Sequence, residues 1–411
     1  MVGAAVRERH NALPPGLLPI ETIQPGAIYL GDVDPVVAMK IQSIRLTEVV
    51  GLVAFGLLLG SSRLQSRAQV ILVVATACIM SLLALESRAT ESADMYAYVG
   101  LAHAVPSAYQ PGLTPLAGDE VVINRLWGLP LVPSAYGPLW IALSKAAIGP
   151  ASTLAAKLMA LRLLGLAAIG ICIAVLYSMG VPRAVLALFA VNPAVYELFV
   201  AQAHNDLIGV AFILAAALAR PRSRVAALIL CAAAGAIKFP FILIAALVFA
   251  SESTAAKRVR LALLSVTVSL SVSLAWGGVP YVWALRRVFE LGGGAGSPFQ
   301  LALHAALGLL VVGAIFAAVL SRYFSPALPW LMPALGRTPL PHYLAWSLPA
   351  VFLDPKPNWT FLATMPIVAF QLDSAYPVTP LTICILVAVI FAAVGYTVVL
   401  ARRRAGSLPE A

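Results

Sequence analysis

The hydrocarbon core of a bilayer, about 30 Å thick, is crossed by roughly 20 apolar residues of helix, and this chain supplies such stretches repeatedly. Residues 44–61, 69–86, 155–178, 184–201, 260–277, 298–321 and 379–401 meet or approach that length. Composition shows why these are not core helices of a soluble protein. Only 11% of the 411 residues are charged and 61% are hydrophobic, against about 25% charged in ordinary soluble domains. So few charges cannot cover a water-facing surface of this size, and the mean hydropathy is +0.93. In lipid the backbone must satisfy its own hydrogen bonds, which helices do. The expectation is an all-α polytopic membrane protein.

Shorter apolar pieces at 206–219, 225–237, 239–251, 325–336, 343–354 and 357–371 are punctuated by Pro240, Pro349 and the Pro355/Pro357 pair. They read as broken or half-depth helices, because proline removes a helical hydrogen bond and irregular backbone at that depth must face protein or a wet cavity. The total comes to about 11–13 transmembrane or half-depth helices. The net charge of +10 is scattered in small groups between apolar stretches, which speaks for topology and against a nucleic-acid partner. Arg63/Arg67, Arg183, Arg220/Arg222/Arg224, Lys257/Arg258/Arg260, Arg322 and Arg402/Arg403/Arg404 can all lie on the cytoplasmic side if each stretch crosses once. Residues 87–154 then face the other side. The domain reading is an N-terminal extension at 1–43 without the pattern of a signal peptide, one membrane domain at 44–401 and a cytoplasmic tail at 402–411. Cys78, Cys172, Cys231 and Cys384 sit singly in apolar stretches, with no pairing that suggests a disulfide framework or zinc.

The segment 87–154 is the longest that does not span, and it carries Glu91, Asp94, Asp119, Glu120 and Arg125 among aromatics and prolines. Function is expected there. Ser92-Ala-Asp94-Met-Tyr96-Ala-Tyr98 opens a short helix in which Ser92 can cap. Asp94 serves either the helix N-terminus or a cavity at the membrane surface. Tyr136-Gly-Pro-Leu-Trp140 starts a second short helix, where Trp140 reads as an interfacial anchor. His204-Asn205-Asp206, after Asn192-Pro193 and Glu197, places three polar groups at a helix junction, which is costly unless they are hydrogen-bonded or functional. Lys238 interrupts an apolar run, so it must snorkel, pair with Asp206 or Asp94, or meet an anion. Arg125, Arg162, Arg286 and Arg287 are further cations on that side, each with a guanidinium fork suited to phosphate or to a headgroup. His342-Tyr343 and Trp346 open a late half-helix on the same side, and His304 sits within a span.

This ordered set resembles the membrane-embedded glycosyltransferases of the C superfold. The motifs in question are Asp94-x-Tyr-x-Tyr98, Tyr136-Gly-Pro-Leu-Trp140, Arg162-Leu-Leu164, Asn192-Pro with Glu197, His204-Asn-Asp206, Lys238-Phe-Pro240 and Pro341-His-Tyr-Leu-Ala-Trp346. They are most similar to glycosyltransferase family 87 and the bacterial alpha-1,6-mannosyltransferases that use polyprenol-phosphate-mannose, over about residues 85 to 250. The usual Gly-rich turn and Asn-Pro-Tyr element are replaced here by Gly100-Leu-Ala-His103 and Ser107-Ala-Tyr109-Gln-Pro111.

The resemblance implies an inverting transfer of a sugar, mannose or another hexose or pentose, from a polyprenyl-phosphate donor to a hydroxyl of a glycan or glycolipid. The site would face the extracytoplasmic side of a bacterial cytoplasmic membrane. Asp94 would be the catalytic carboxylate. Lys238, Arg125, Arg162 and His204 would meet the donor phosphate, while Tyr96, Tyr98, Tyr136, Asn205, Asp206, His342 and Tyr343 would hold substrate. No cofactor and no metal are required, although Asp94 with Asp206 offers carboxylates of the kind that Mg²⁺ or Mn²⁺ takes. The rival is a polytopic transporter or lipid flippase with Asp206 and Lys238 in its substrate path.

Overall fold

The computed structural model describes residues 67–86, 94–104, 106–111, 133–291, 298–336, 340–354 and 359–374. The expected spans at 44–61 and 379–401, together with Ser92, Asp119, Glu120 and Arg125, lie outside the described residues. Within them the chain is helical, apart from a hairpin of two-residue strands, Pro106–Ser107 and Gln110–Pro111.

The chain is a polytopic membrane protein, and exposure explains its long helices. Helix α1 (Arg67–Glu86) turns Val70, Ile71, Leu72, Val74, Ile79 and Leu82 outward. Next comes the short, largely buried α2 (Asp94–His103), and then α3 (Pro138–Ile148), entered through Pro138 with its pre-set φ. Helix α4 (Leu154–Ser178) is capped by Thr153, whose hydroxyl accepts from Ala156 N at 3.2 Å, and it likewise exposes Leu163 and Ile171. An apolar stripe left in the open is a cost in water and ordinary in lipid. Among the described residues three helices are long and apolar enough to cross a membrane, or four if a bent pair counts as one.

That bent pair corrects the expectation of an unbroken crossing at 184–201. Helix α5 (Arg183–Ala190) ends at Val191, and α6 (Pro193–Tyr196) leaves at 48° to it. The cause is Asn192-Pro193. Proline cannot donate to the preceding turn, so Asn192 acts as a new N-cap, accepting from Ala194 N at 3.1 Å, while its amide donates to Leu362 O at 3.0 Å. The buried side chain thus ties the break to a distant segment. Beyond Tyr196 the chain loosens into a π-helical turn, Glu197–Ala201.

Two antiparallel helices form the centre, α7 (Asp206–Ala219) and α8 (Arg224–Ile237), with α4 against the first and α10 (Ala255–Leu291) against the second. Between α8 and α10 lies α9 (Pro240–Ile244), continued as a buried 3₁₀ turn to Phe249. Helix α10 kinks where Gly278 adopts φ 66°, followed by Pro280, so the apolar span read as 260–277 ends at the kink. Helix α11 (Pro298–Ser321) returns. Short turns follow at α12 (Leu328–Leu331), a 3₁₀ segment at Pro341–Ser347, α13 (Leu348–Leu353) and finally α14 (Trp359–Ser374). Of the expected broken pieces, 239–251, 325–336 and 343–354 do divide into short turns, whereas 206–219 and 225–237 are continuous helices without proline and α14 runs through Pro366.

Candidate active site

The π turn is where the local sequence begins to build a site. Its i→i+5 bond, Gln202 N to Glu197 O at 3.0 Å, sets residues five apart on one side. Ala203 then takes a left-handed φ of 51°, a conformation that costs a non-glycine residue about 1–2 kcal/mol. His204 N closes the reversal on Leu198 O at 3.0 Å. The outcome is a chain that delivers His204, Asn205 and Asp206 in succession at the start of α7, all of them buried.

Asp94, the first residue of α2, meets this turn. His204 Nδ1 lies 3.0 Å from Asp94 Oδ2, off the line of a straight hydrogen bond, and His204 Nε2 lies 3.2 Å from Gln202 Oε1. The His204 ring stacks on His342, with centroids 3.8 Å apart and planes at 20°. His342 in turn packs edge-on against Tyr343, and Tyr343 stacks on Trp346 at 4.0 Å. Burial alone would raise the Asp94 carboxyl, but the hydrogen bond and charge of His204, with help from Lys238 and Tyr136, hold it below the usual carboxylate range. His342 moves well below the ordinary histidine value, through burial first and then the charges of His204 and Lys238.

Beside this pair stands a second, more deeply buried one. Lys238 Nζ donates to Asp206 Oδ1 at 2.9 Å and Oδ2 at 3.1 Å, and Trp346 Nε1 donates to Asp206 Oδ1 at 2.6 Å. The ammonium is boxed by the rings of Tyr343, Trp346 and Tyr136 at 5.0, 5.5 and 5.6 Å, a cation–π enclosure. Of the two partners open to Lys238 by sequence, Asp206 is the one it takes. Lys238 ends α8 in extended backbone, where it forms a β-bridge to Tyr136. That approach explains the glycine that follows. Gly137 N donates to Ile237 O at 2.8 Å, and a Cβ on Gly137 would overlap the Ala236 carbonyl.

The remaining site residues fall in distinct places. Tyr98 is buried edge-on against Tyr136 and Trp140, at 4.9 and 4.8 Å. Trp140, read as an interfacial anchor, is instead 1% exposed, because α2 and α3 pack together and present it with an aromatic partner. Tyr96 is half-buried near the charge of Arg162. Asn205 is fully buried, and both polar atoms of its amide have no partner among the described residues. Arg162 supports the turn from behind: its Nε donates to Ala201 O at 3.1 Å and its Nη1 to Leu85 O at 2.8 Å. Those bonds cap the carbonyl ends of α1 and of the π turn. Arg286 lies over the Trp283 ring, and Arg125 lies outside the described residues.

Asp94, His204 and His342 each offer a metal-ligand atom, all within 4.8 Å of one another. The arrangement does not fit an ion as it stands. Stacked imidazoles hold their in-plane lone pairs side by side, whereas ligands of one ion must converge on a point.

One member of the cluster went unnoticed in the sequence, Gln202, whose Nε2 donates to Oε1 of Glu197 at 3.5 Å; Glu197 stood in the motif, but its contact with Gln202 did not show there. A spacing of five belongs to neither helical nor strand periodicity, so only the π turn makes them neighbours.

Residues 89–254 match a family described as "Alpha-(1->6)-mannopyranosyltransferase, N-terminal domain". No curated protein and no solved structure matches the chain. The matched stretch holds Asp94, Tyr136, Arg162, the His204 turn and Lys238; His342, Tyr343 and Trp346 lie beyond it. The resemblance drawn from the motifs over about 85 to 250 is thereby borne out.

Proposed function

We propose, from the premise that this chain is a membrane glycosyltransferase carrying an alpha-(1->6)-mannopyranosyltransferase family domain, that it moves mannose from a polyprenyl-phosphate-linked donor to a hydroxyl of a glycan or glycolipid. The transfer inverts the anomeric carbon and takes place on the extracytoplasmic side of a bacterial cytoplasmic membrane. A donor whose tail belongs in the bilayer and whose sugar sits at its surface needs a catalyst embedded in lipid.

One observation carries the assignment of Asp94 as base. Of the two carboxylates in the cluster, the Asp206 side chain is 0% exposed and engaged by Lys238 and Trp346, whereas that of Asp94 is 16% exposed. Of the two, Asp94 is the one that an incoming hydroxyl can reach from outside the protein. As the acceptor oxygen bonds to the anomeric carbon, the bond from that carbon to the phosphate oxygen breaks and its electron pair leaves with the polyprenyl phosphate. The acceptor proton passes to Asp94. Its low proton affinity is no obstacle, because a hydroxyl bonding to an oxocarbenium-like carbon becomes strongly acidic before it gives up its proton.

The leaving phosphate needs positive charge and no acid. Lys238 has three donors, two of them engaged by Asp206, and with His204 and Arg125 it would meet the phosphate oxygens. Asn205, with its unspent amide, and Tyr98, Tyr136, His342 and Tyr343 would contact the sugar and acceptor. Arg162 acts through the turn it holds. No metal is assigned a step, and chelators should leave transfer unchanged.

Asp94→Asn keeps the shape and removes the base. Expected is a fall in transfer from polyprenyl-phosphate mannose of about 10²–10⁴-fold, with an unchanged unfolding temperature in detergent. Near-normal transfer by this variant would take Asp94 out of the role.

A further inference from the structure

The hydrogen bonds behind Asp94 have a polarity that fixes more than position. Glu197 begins the π turn and Gln202 ends it, with their side chains in contact at 3.5 Å, and Gln202 reaches His204 at 3.2 Å, which reaches Asp94 at 3.0 Å. A carboxylate only accepts, so at Glu197 the amide of Gln202 must present its NH₂. Its oxygen is then the end that faces His204, and Nε2 of the ring must carry a proton to meet it. At the other end Asp94 is again an acceptor, so Nδ1 must carry one as well.

We propose that Gln202, oriented by Glu197, is a positioning residue of the transfer site, whose side-chain oxygen holds His204 with a proton on both ring nitrogens so that the ring donates to Asp94. The inference rests on the reading of Asp94 as proton acceptor and adds what aims and charges it. A positive imidazole against Asp94 keeps the carboxylate ionised and turned toward the acceptor, and it adds positive charge beside the departing phosphate. The bent His204–Asp94 contact is of the kind that straightens when substrate binds.

The charges around His204 come from every neighbouring element. Asp94 faces it from α2, with Tyr136 bonded to the same carboxylate and Tyr98 close by. His342 stacks on it from the 3₁₀ segment, and Lys238 stands at the end of α8. Asp206 follows on its own helix, spent on Lys238 and Trp346. Arg162 binds the carbonyl of Ala201, three residues before it. Lys238 is the neighbour that opposes a second positive charge, and Asp206 largely cancels it. His342 opposes it least by staying neutral, as its burial favours.

Histidine-selective ¹⁵N labelling of the full chain in detergent tests this directly, since the chain has only 5 histidines and His204→Gln identifies the signal. Wild type at neutral pH is expected to show protons on both His204 nitrogens. Gln202→Leu should leave a single-proton tautomer, lower kcat for mannosyl transfer about 10-fold with little change in KM, and move the acid limb of the rate profile upward as Asp94 loses its donor. The exchanged pair Glu197→Gln with Gln202→Glu restores the polarity, since Glu at 202 accepts from the ring and Gln at 197 donates to it. It should recover both the double protonation and the profile, a rescue that a merely packing role would not give. If Gln202→Leu fails to fold, Glu197→Gln alone removes only the orienting charge and should yield a mixture of His204 tautomers.

A wild-type His204 with one proton, or a signal unchanged in these variants, would overturn the proposal. A wild type with both protons that transfers no mannose would overturn the donor reading while supporting the hydrogen-bond chain.

Discussion

The two ends of the α7–α8 hairpin handle charge in opposite ways. At the end marked by Arg220 and Arg224, Arg220, Arg258 and Arg322 turn to backbone, and Arg224 meets Glu252 at the rim. Arg220 Nη1 donates to Val248 O at 2.9 Å, Arg322 caps the carbonyls of Glu252 and Ser253, and the buried Arg258 donates to Val319 O, Leu320 O and Glu252 O at 2.8, 2.6 and 3.0 Å. The bonds to Val248, Val319 and Leu320 satisfy carbonyls that helix ends leave without an intrahelical partner, and those to Glu252 and Ser253 hold the turn that precedes α10. At the end marked by Asp206 and Lys238, charged side chains meet one another and a set of rings. Helix capping accounts for the first end and cannot account for the second. Two carboxylates, a lysine and two histidines gathered there cost desolvation that apolar packing would avoid, a cost that the proposed transfer chemistry would account for.

The comparison breaks most visibly at Lys238. Lys238→Met leaves Asp206 charged and wholly buried with Trp346 as its remaining donor, and loss of one partner of such a pair costs about 3–5 kcal/mol. Denaturant unfolding in detergent should show that loss. The double replacement Lys238→Met with Asp206→Leu should recover most of the stability and none of the transfer. If Lys238→Met unfolds like the wild type, the buried pair does not hold the end of α8 to the start of α7.

Arg258→Met tests the other end. It strips a charged donor from two carbonyls in the last turn of α11 and one at Glu252, and the expected loss is about 2–3 kcal/mol in the same assay. Specific transfer activity per folded molecule should stay unchanged, because the arginine serves helix ends far along the hairpin from Asp94. A fall in activity without a fall in stability would erase the distinction between the two ends.

The sequence made the membrane architecture legible because apolar length and scarce charge leave few alternatives: α1 and α4 lie within two residues of the runs read for them. The polar triad at 204–206 was legible for the same reason, since such groups stand out in an apolar chain. What each one pairs with was not. Lys238 had two acidic candidates, and the choice of Asp206 depends on where α8 ends beside α7. Trp140, two residues after Pro138, looks the same whether it meets headgroups or the ring of Tyr98. The bend at Asn192-Pro193 hides inside an apolar run, because the Asn192 amide finds its acceptor only at Leu362. Gln202 was invisible, since the π turn that recruits it follows no periodicity that a pattern search counts.

The smallest effect belongs to the most conspicuous ion pair. Arg224 approaches Glu252 with Nη2 to Oε2 at 3.0 Å and Nε to Oε1 at 3.4 Å, a two-pronged geometry, yet the arginine side chain is 54% exposed. An exposed pair gains little Coulomb energy in water, is screened by salt and orders two long side chains, so such pairs contribute about 0.2–1 kcal/mol. Arg224→Ala should lower stability by no more than that. The difference from wild type should shrink further as salt is raised, while the loss in Arg258→Met, whose acceptors are buried carbonyls, should persist. Equal salt sensitivity in the two variants would show that both arginines act as surface charges. Persistence in Arg258→Met alone would mark that residue as a helix cap and Arg224 as a charge at the rim.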